Sequence, residues 1–158
     1  MNRNYVYVLI ISCGLFFAAC GDDKKDSTTT ETATSPAGSE STVSSDPKGV
    51  GPHQNIKLTH PLDEAMVTQG KNLAEVKCTS CHKLTRERLV GPGWEGVTDR
   101  RTPEWIMNFI TNTDEMVQRD TAARNMLEVC LVKMPNQGLV EAEARSVLEF
   151  MRKNDGKN

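Results

Sequence analysis

The feature that most limits what this chain can become is the run Lys77-Cys78-Thr79-Ser80-Cys81-His82. Two thiols three residues apart share one face of a helix, and the next residue lies beside them. Three chemistries compete for such a set. A thioredoxin-like pair needs a βαβ surround, and no strand pattern precedes the motif. A structural zinc site needs four ligands, and no second pair exists at ligand spacing. The third is covalent attachment of a tetrapyrrole, in which each thiol adds to a vinyl group and the imidazole reaches the iron. The C-x-x-C-H order is the attachment signature of c-type haem. The residues therefore point to one covalent haem c on Cys78, Cys81 and His82.

The N-terminal residues bear on where such a haem would sit. Arg3 precedes an almost wholly apolar run, Tyr5 to Ala19, that is too short to span a bilayer comfortably. Residues 1–19 read as a secretory signal. Its end, Leu15-Phe16-Phe17-Ala18-Ala19-Cys20, resembles a bacterial lipobox, with Phe17 where Leu or Val is usual. The resemblance implies acylation of Cys20; a plain signal cleaved near Ala19, or an uncleaved anchor, are the alternatives. Residues 20–52 are rich in Ser and Thr and start acidic, at Asp22-Asp23, which is the composition of a flexible tether. Residues 53–158 read as the folded domain.

Charge and cysteine usage narrow the classes further. Residues 20–48 hold six acids and three bases, and residues 49–158 hold fifteen of each. That balance lacks the basic excess of a nucleic-acid binder, so no nucleic-acid partner is expected. Of the five cysteines, Cys13 leaves with the signal and Cys130 is left over. It is expected to be buried as a small hydrophobe, or else paired between molecules.

Periodicity gives only helices. Met66, Gly70, Leu73 and Lys77 set the rhythm of a helix over Leu62–Lys77, with Asp63 and Glu64 suited to its start. Thr102-Pro103-Glu104 opens another, Thr as cap and Pro at the first position. Asp120 caps a third, in which Ala123, Met126, Leu127 and Cys130 line one side. Leu139–Lys153 is a fourth, with Ala144, Val147, Leu148 and Met151 as its stripe. No segment alternates as a strand, so the domain is expected to be all-α. A core this poor in aromatics is thin. The haem-free domain is therefore expected to be largely unfolded.

From Leu62 to Lys153 the chain resembles class I monohaem bacterial cytochromes c. The likeness lies in Cys78–His82, Leu89-Val90-Gly91-Pro92, Met134-Pro135 and Gly70-Lys71-Asn72-Leu73. It implies a cytochrome c fold of short helices around one haem. It also implies that the Pro92 carbonyl accepts the His82 Nδ1–H, although a Pro-Gly turn at Pro92-Gly93 would account for the same residues. Met134, in a Pro- and Gly-marked loop, is the expected sixth ligand. His53 and His60 are rivals, Met116 is a further one, and Met66, Met107, Met126 and Met151 read as core. Gly70 is expected to allow close helix crossing, while Ala74 stands where an aromatic is common. Trp105 is a candidate contact to a haem propionate, with core packing as the alternative. Arg100 and Arg101 could pair with propionates or remain solvated. The string Arg100–Asn108, with Met134-Pro135-Asn136-Gln137, is also similar to small cytochromes associated with nitrous oxide reductase systems.

These expectations describe a monomeric one-electron carrier, lipid-anchored to a membrane and facing the periplasm. Its partners would be redox proteins: a respiratory complex or a terminal reductase, nitrous oxide reductase among them. A neutral thioether opposite His82 would fill the last axial position and favour the ferrous state. A peroxidase-like haem enzyme and a gas-binding sensor subunit are the rival readings.

Overall fold

The computed structural model describes residues 43–158. The signal, Cys20 and most of the tether lie outside the described residues. Six helices and no strand are present among those described. The all-α expectation is met, and each main helix starts where its cap chemistry dictates.

Helix α1, Glu64–Lys77, begins after Asp63, whose Oδ1 accepts the N–H groups of Ala65 at 2.9 Å and Met66 at 3.1 Å. The start is two residues later than Leu62 because Asp63 takes the cap. Helix α6, Glu141–Asn154, begins after Val140. Val140 has no side-chain acceptor, but Glu143 reaches back to accept its N–H at 3.1 Å. Arg152 and Lys153 sit in the last turn, where cations suit the dipole.

The pair α1 and α6 forms the main helix contact. Gly70 lies at the crossing: a Cβ there would stand 1.9 Å from the carbonyl oxygen of Ser146. Only a residue without a side chain permits that approach. Ala74 is completely buried on the same helix. The nearby aromatic contact comes from elsewhere, with Phe150 of α6 meeting Trp94 edge-on at 6.3 Å between centroids. The outer side of α6 carries a buried charge network. Glu149 is fully buried and binds Arg145 at 2.7 Å and Arg152 at 2.6 Å. Both arginines also donate to backbone carbonyls, of Lys57 and Thr59, so that stretch is fastened to α6.

Between these helices run four shorter ones. Helix α2, Val97–Arg100, is a single turn. Asp155, just past α6, accepts the N–H groups of Gly96 at 2.6 Å and Thr98 at 2.8 Å and so pins its start. Helix α3, Pro103–Thr111, is capped by Thr102, which accepts the Trp105 N–H at 3.1 Å. Helix α4, Thr113–Arg119, follows after Asn112. Helix α5, Thr121–Cys130, is capped by Asp120, which accepts the Ala123 N–H at 2.8 Å.

The boundary between tether and domain is a correction. Residues 44–52 were expected in the tether, yet they are packed on the helices. Ser44 N–H donates to the Arg119 carbonyl at 2.6 Å, and the Thr121 N–H donates back to Ser44 at 2.9 Å. Fully buried Asn108 donates to the carbonyls of Lys48 and His53 and accepts the His53 N–H at 3.0 Å. Gly49, at φ +70, lies so close over Met116 that a Cβ would come within 2.6 Å of its methyl carbon. The attachment is made by buried polar groups and by glycines without side chains, neither of which local composition registers.

Candidate haem site

The end of α1 delivers the motif. Cys78 is the C-cap of α1, and the N–H groups of Cys81 and His82 both bond to its carbonyl, at 3.0 and 2.9 Å. The three chemical side chains are thereby carried on one tight turn. Cys78 and Cys81 form no disulfide with each other or with Cys130. Burial pushes the Cys78 thiol up from its ordinary value, with Lys77 opposing in part.

His82 is held in one orientation. Its Nδ1 lies 2.8 Å from the Pro92 carbonyl oxygen, which accepts the Nδ1–H. Gly91 makes this possible, because a Cβ there would come within 2.3 Å of His82 Cε1. The N–H of Gly91 also donates to Cys81 at 2.9 Å, closing the proximal loop on the motif. Nε2 makes no hydrogen bond among the described residues and is the nitrogen left for a metal.

His82 lines a cavity of about 400 Å³. Cys78 and Cys81 edge it, Trp94, Ile106, Phe109, Ile110, Leu139 and Val147 supply apolar wall, and Met134 lines it from the loop before α6. Arg100 and Arg101 also line it, and neither has a carboxylate partner within 4.0 Å among the described residues. The donor set fits haem c closely: two thiols and an oriented imidazole, an apolar enclosure, and two cations suited to propionates.

The other candidates are distributed as follows. His53 is buried with its backbone tied to Asn108, and His60 Nδ1 lies 2.8 Å from the Asn158 carbonyl; neither lines the cavity. Met116 is fully buried and its sulfur accepts the Val50 N–H at 3.1 Å, so it is committed to the core. Met107 is fully buried as well. Met126 and Met151, expected as core, line the cavity too, because α5 and α6 turn their apolar stripes toward it. Cys130, at the end of α5, is only half-buried, against the expectation of burial.

Trp105 lines the cavity with its ring, but its N–H is donated to buried Asp120 at 3.1 Å. It stacks on Phe109 at 4.9 Å, and Arg101 lies 4.5 Å above it. The indole is thus a packed wall of the cavity whose Nε1–H is already engaged by Asp120. Trp94 was missed from sequence. It is buried, its ring centre lies 5.8 Å from that of His82, and its backbone N–H donates to the Lys83 carbonyl at 2.9 Å. The available signal was a lone aromatic just after Gly91-Pro92-Gly93.

The fold and this cradle define a small all-α protein that carries one covalent haem. The profile of the family described as Cytochrome c matches residues 67–155. The chain belongs to the cytochrome c family, and haem-based electron transfer is that family's work. Among solved structures, a cytochrome c from Rhodothermus marinus is 35% identical, with a TM-score of 0.65, over 67% of this chain and 90% of that one. An engineered cytochrome c from Rhodothermus marinus, Rma TDE, is 33% identical, with a TM-score of 0.67, over 71% of this chain and all of that one. The same engineered protein bound to a carbene intermediate is also similar, at a TM-score of 0.64. No curated protein matches the chain.

Proposed function

We propose that this cytochrome c is a membrane-tethered one-electron carrier, with His82 and Met134 as the axial ligands of its haem. Held by Cys78, Cys81, His82 and Met134, haem would supply a one-electron ferric/ferrous couple. The observation that carries the reading is that Met134 and the oriented His82 line one apolar cavity. The loop position of Met134, beside Pro135, separates it from Met126 and Met151 on their helices. Filling both axial positions suits a carrier, because neither ligand has to be exchanged for an electron to pass.

The lipobox-like Cys20 and the signal before it support export and lipid anchoring on the periplasmic side. No described helix is long and apolar enough to cross a membrane. A tether would raise the local concentration of the domain near membrane-bound partners, and the encounters would be brief and small in area. The partners on this reading are a respiratory complex and a terminal reductase, with nitrous oxide reductase among the candidates.

The second reading is chemistry at an open distal position. The engineered Rhodothermus marinus protein described as bound to a carbene intermediate gives it a foothold. A peroxidase also needs an acid/base group over the iron. Among the described residues, the cavity wall contains no carboxylate and no histidine besides His82. The carrier is the better match. The partner is tested by capture from native membranes with redox spectra of the captured proteins. Haem reduction by a captured respiratory complex supports the reading, and capture of no redox protein contradicts it.

A further inference from the structure

The segment that carries Met134 is poorly fastened along its own length. Among the described residues, 132–139 make no backbone-to-backbone hydrogen bond. Leu131, which opens the segment, is exposed and sits at φ +60. Along the loop, Lys133 pairs with exposed Asp114 at 2.5 Å, and Asn136 reaches the Thr111 carbonyl only at 3.5 Å.

Two cations fasten the chain on either side of Met134. Lys77 Nζ donates to the Gln137 carbonyl at 3.1 Å, three residues after Met134. Arg88 donates from a terminal guanidinium nitrogen to the Val129 carbonyl at 2.9 Å, five residues before it. Each donor is itself fixed to a haem-holding residue. Lys77 is bonded in sequence to Cys78. Arg88 stands two residues before Val90, whose N–H donates to the Cys81 carbonyl at 3.2 Å. Charge-assisted donors to carbonyls are among the stronger hydrogen bonds, and Val129 lies in the last turn of α5, where a cation also meets the negative end of the helix dipole.

We infer that Lys77 and Arg88 are positioning residues, clasping the Met134 segment to the attachment side and so setting how often the sixth position opens. The inference rests on Met134 being the sixth ligand. Neither residue touches the metal; both act through the segment between Val129 and Gln137.

The test uses the holoprotein with haem attached. Association of carbon monoxide with the ferrous form is timed by rapid mixing, and the red-region sulfur-to-iron band is recorded in the ferric form. The variants are Lys77→Met, Arg88→Met and the pair, with Lys77→Arg and Arg88→Lys as conservative controls and Lys133→Met as a loop control. Circular dichroism confirms that each is folded. Each Met variant is expected to bind carbon monoxide about tenfold faster, the effect of losing one charged hydrogen bond. The pair should be faster still, the conservative variants should stay near wild type, and Lys133→Met should change least. A wild-type band with variant rates equal to wild type overturns the clasp alone. A wild type that lacks the band, and binds carbon monoxide as fast as Met134→Ala, overturns both the ligand assignment and the clasp.

Discussion

The Nδ1 of His82 lies 2.8 Å from the carbonyl oxygen of Pro92, and the residue between Val90 and Pro92 has no side chain to disturb it. The carbonyl fixes the ring and raises the basicity of the other nitrogen. In Gly91→Ala the new methyl would lie 2.3 Å from His82 Cε1. The ring must swing away and lose its bond to Pro92. A less basic imidazole stabilises the ferric state less, so the reduction potential should rise, by about the 1 kcal/mol of one hydrogen bond. Voltammetry of the holoprotein checks this; an unchanged or lower potential contradicts it.

Gly70 offers a test of the fold at the far side of the same helix. A methyl placed 1.9 Å from the Ser146 carbonyl has only backbone to push against. Gly70→Ala should therefore cost about 3 kcal/mol, at the upper end for overpacking. Denaturant unfolding of the oxidised holoprotein measures it, and a loss near zero would mean that α1 and α6 do not cross there.

Leu131 works in the opposite direction. A leucine at φ +60 and 84% exposed sits in a conformation that strains any side chain, at a helix end where glycine is preferred. Leu131→Gly should stabilise the protein by about 1 kcal/mol. The same unfolding experiment should show a higher midpoint with an unchanged slope.

A further expectation concerns the cofactor as part of the core. Trp94, Ile106, Phe109 and Val147 all line one cavity of about 400 Å³. With Cys78 and Cys81 both replaced by Ser, the haem is no longer covalently held, and the chain freed of haem by extraction should be largely unfolded by circular dichroism. A cooperative thermal transition in that haem-free variant would show that the helices pack without it.

How much of this was legible in the sequence depends on how local its cause is. Asp63, Thr102 and Asp120 announce helix starts because a cap acts within three residues. The partnership of His82 with Pro92 was legible through family likeness, ten residues apart. The packing of residues 44–52 was not, since it depends on Asn108 and Met116 some sixty residues on. Helix α4 was passed over because seven residues carry too little periodicity, and Trp94 because its surroundings read as a turn. Met126 was taken as ordinary core. Its stripe was read correctly, but periodicity does not say whether an apolar face meets protein or a cofactor cavity. Trp105 shows the same limit for polar groups, since the partner of its N–H, Asp120, had already been assigned to a helix cap.

The account turns on Met134, and the most direct measurement is the ferric absorption spectrum of the holoprotein beside those of Met134→Ala and Met126→Ala. The expected result is a red-region sulfur-to-iron band in the wild type, kept in Met126→Ala and lost in Met134→Ala. A band that survives in Met134→Ala, or is missing from the wild type, would contradict His82 and Met134 as the axial pair, and with it the carrier built on them.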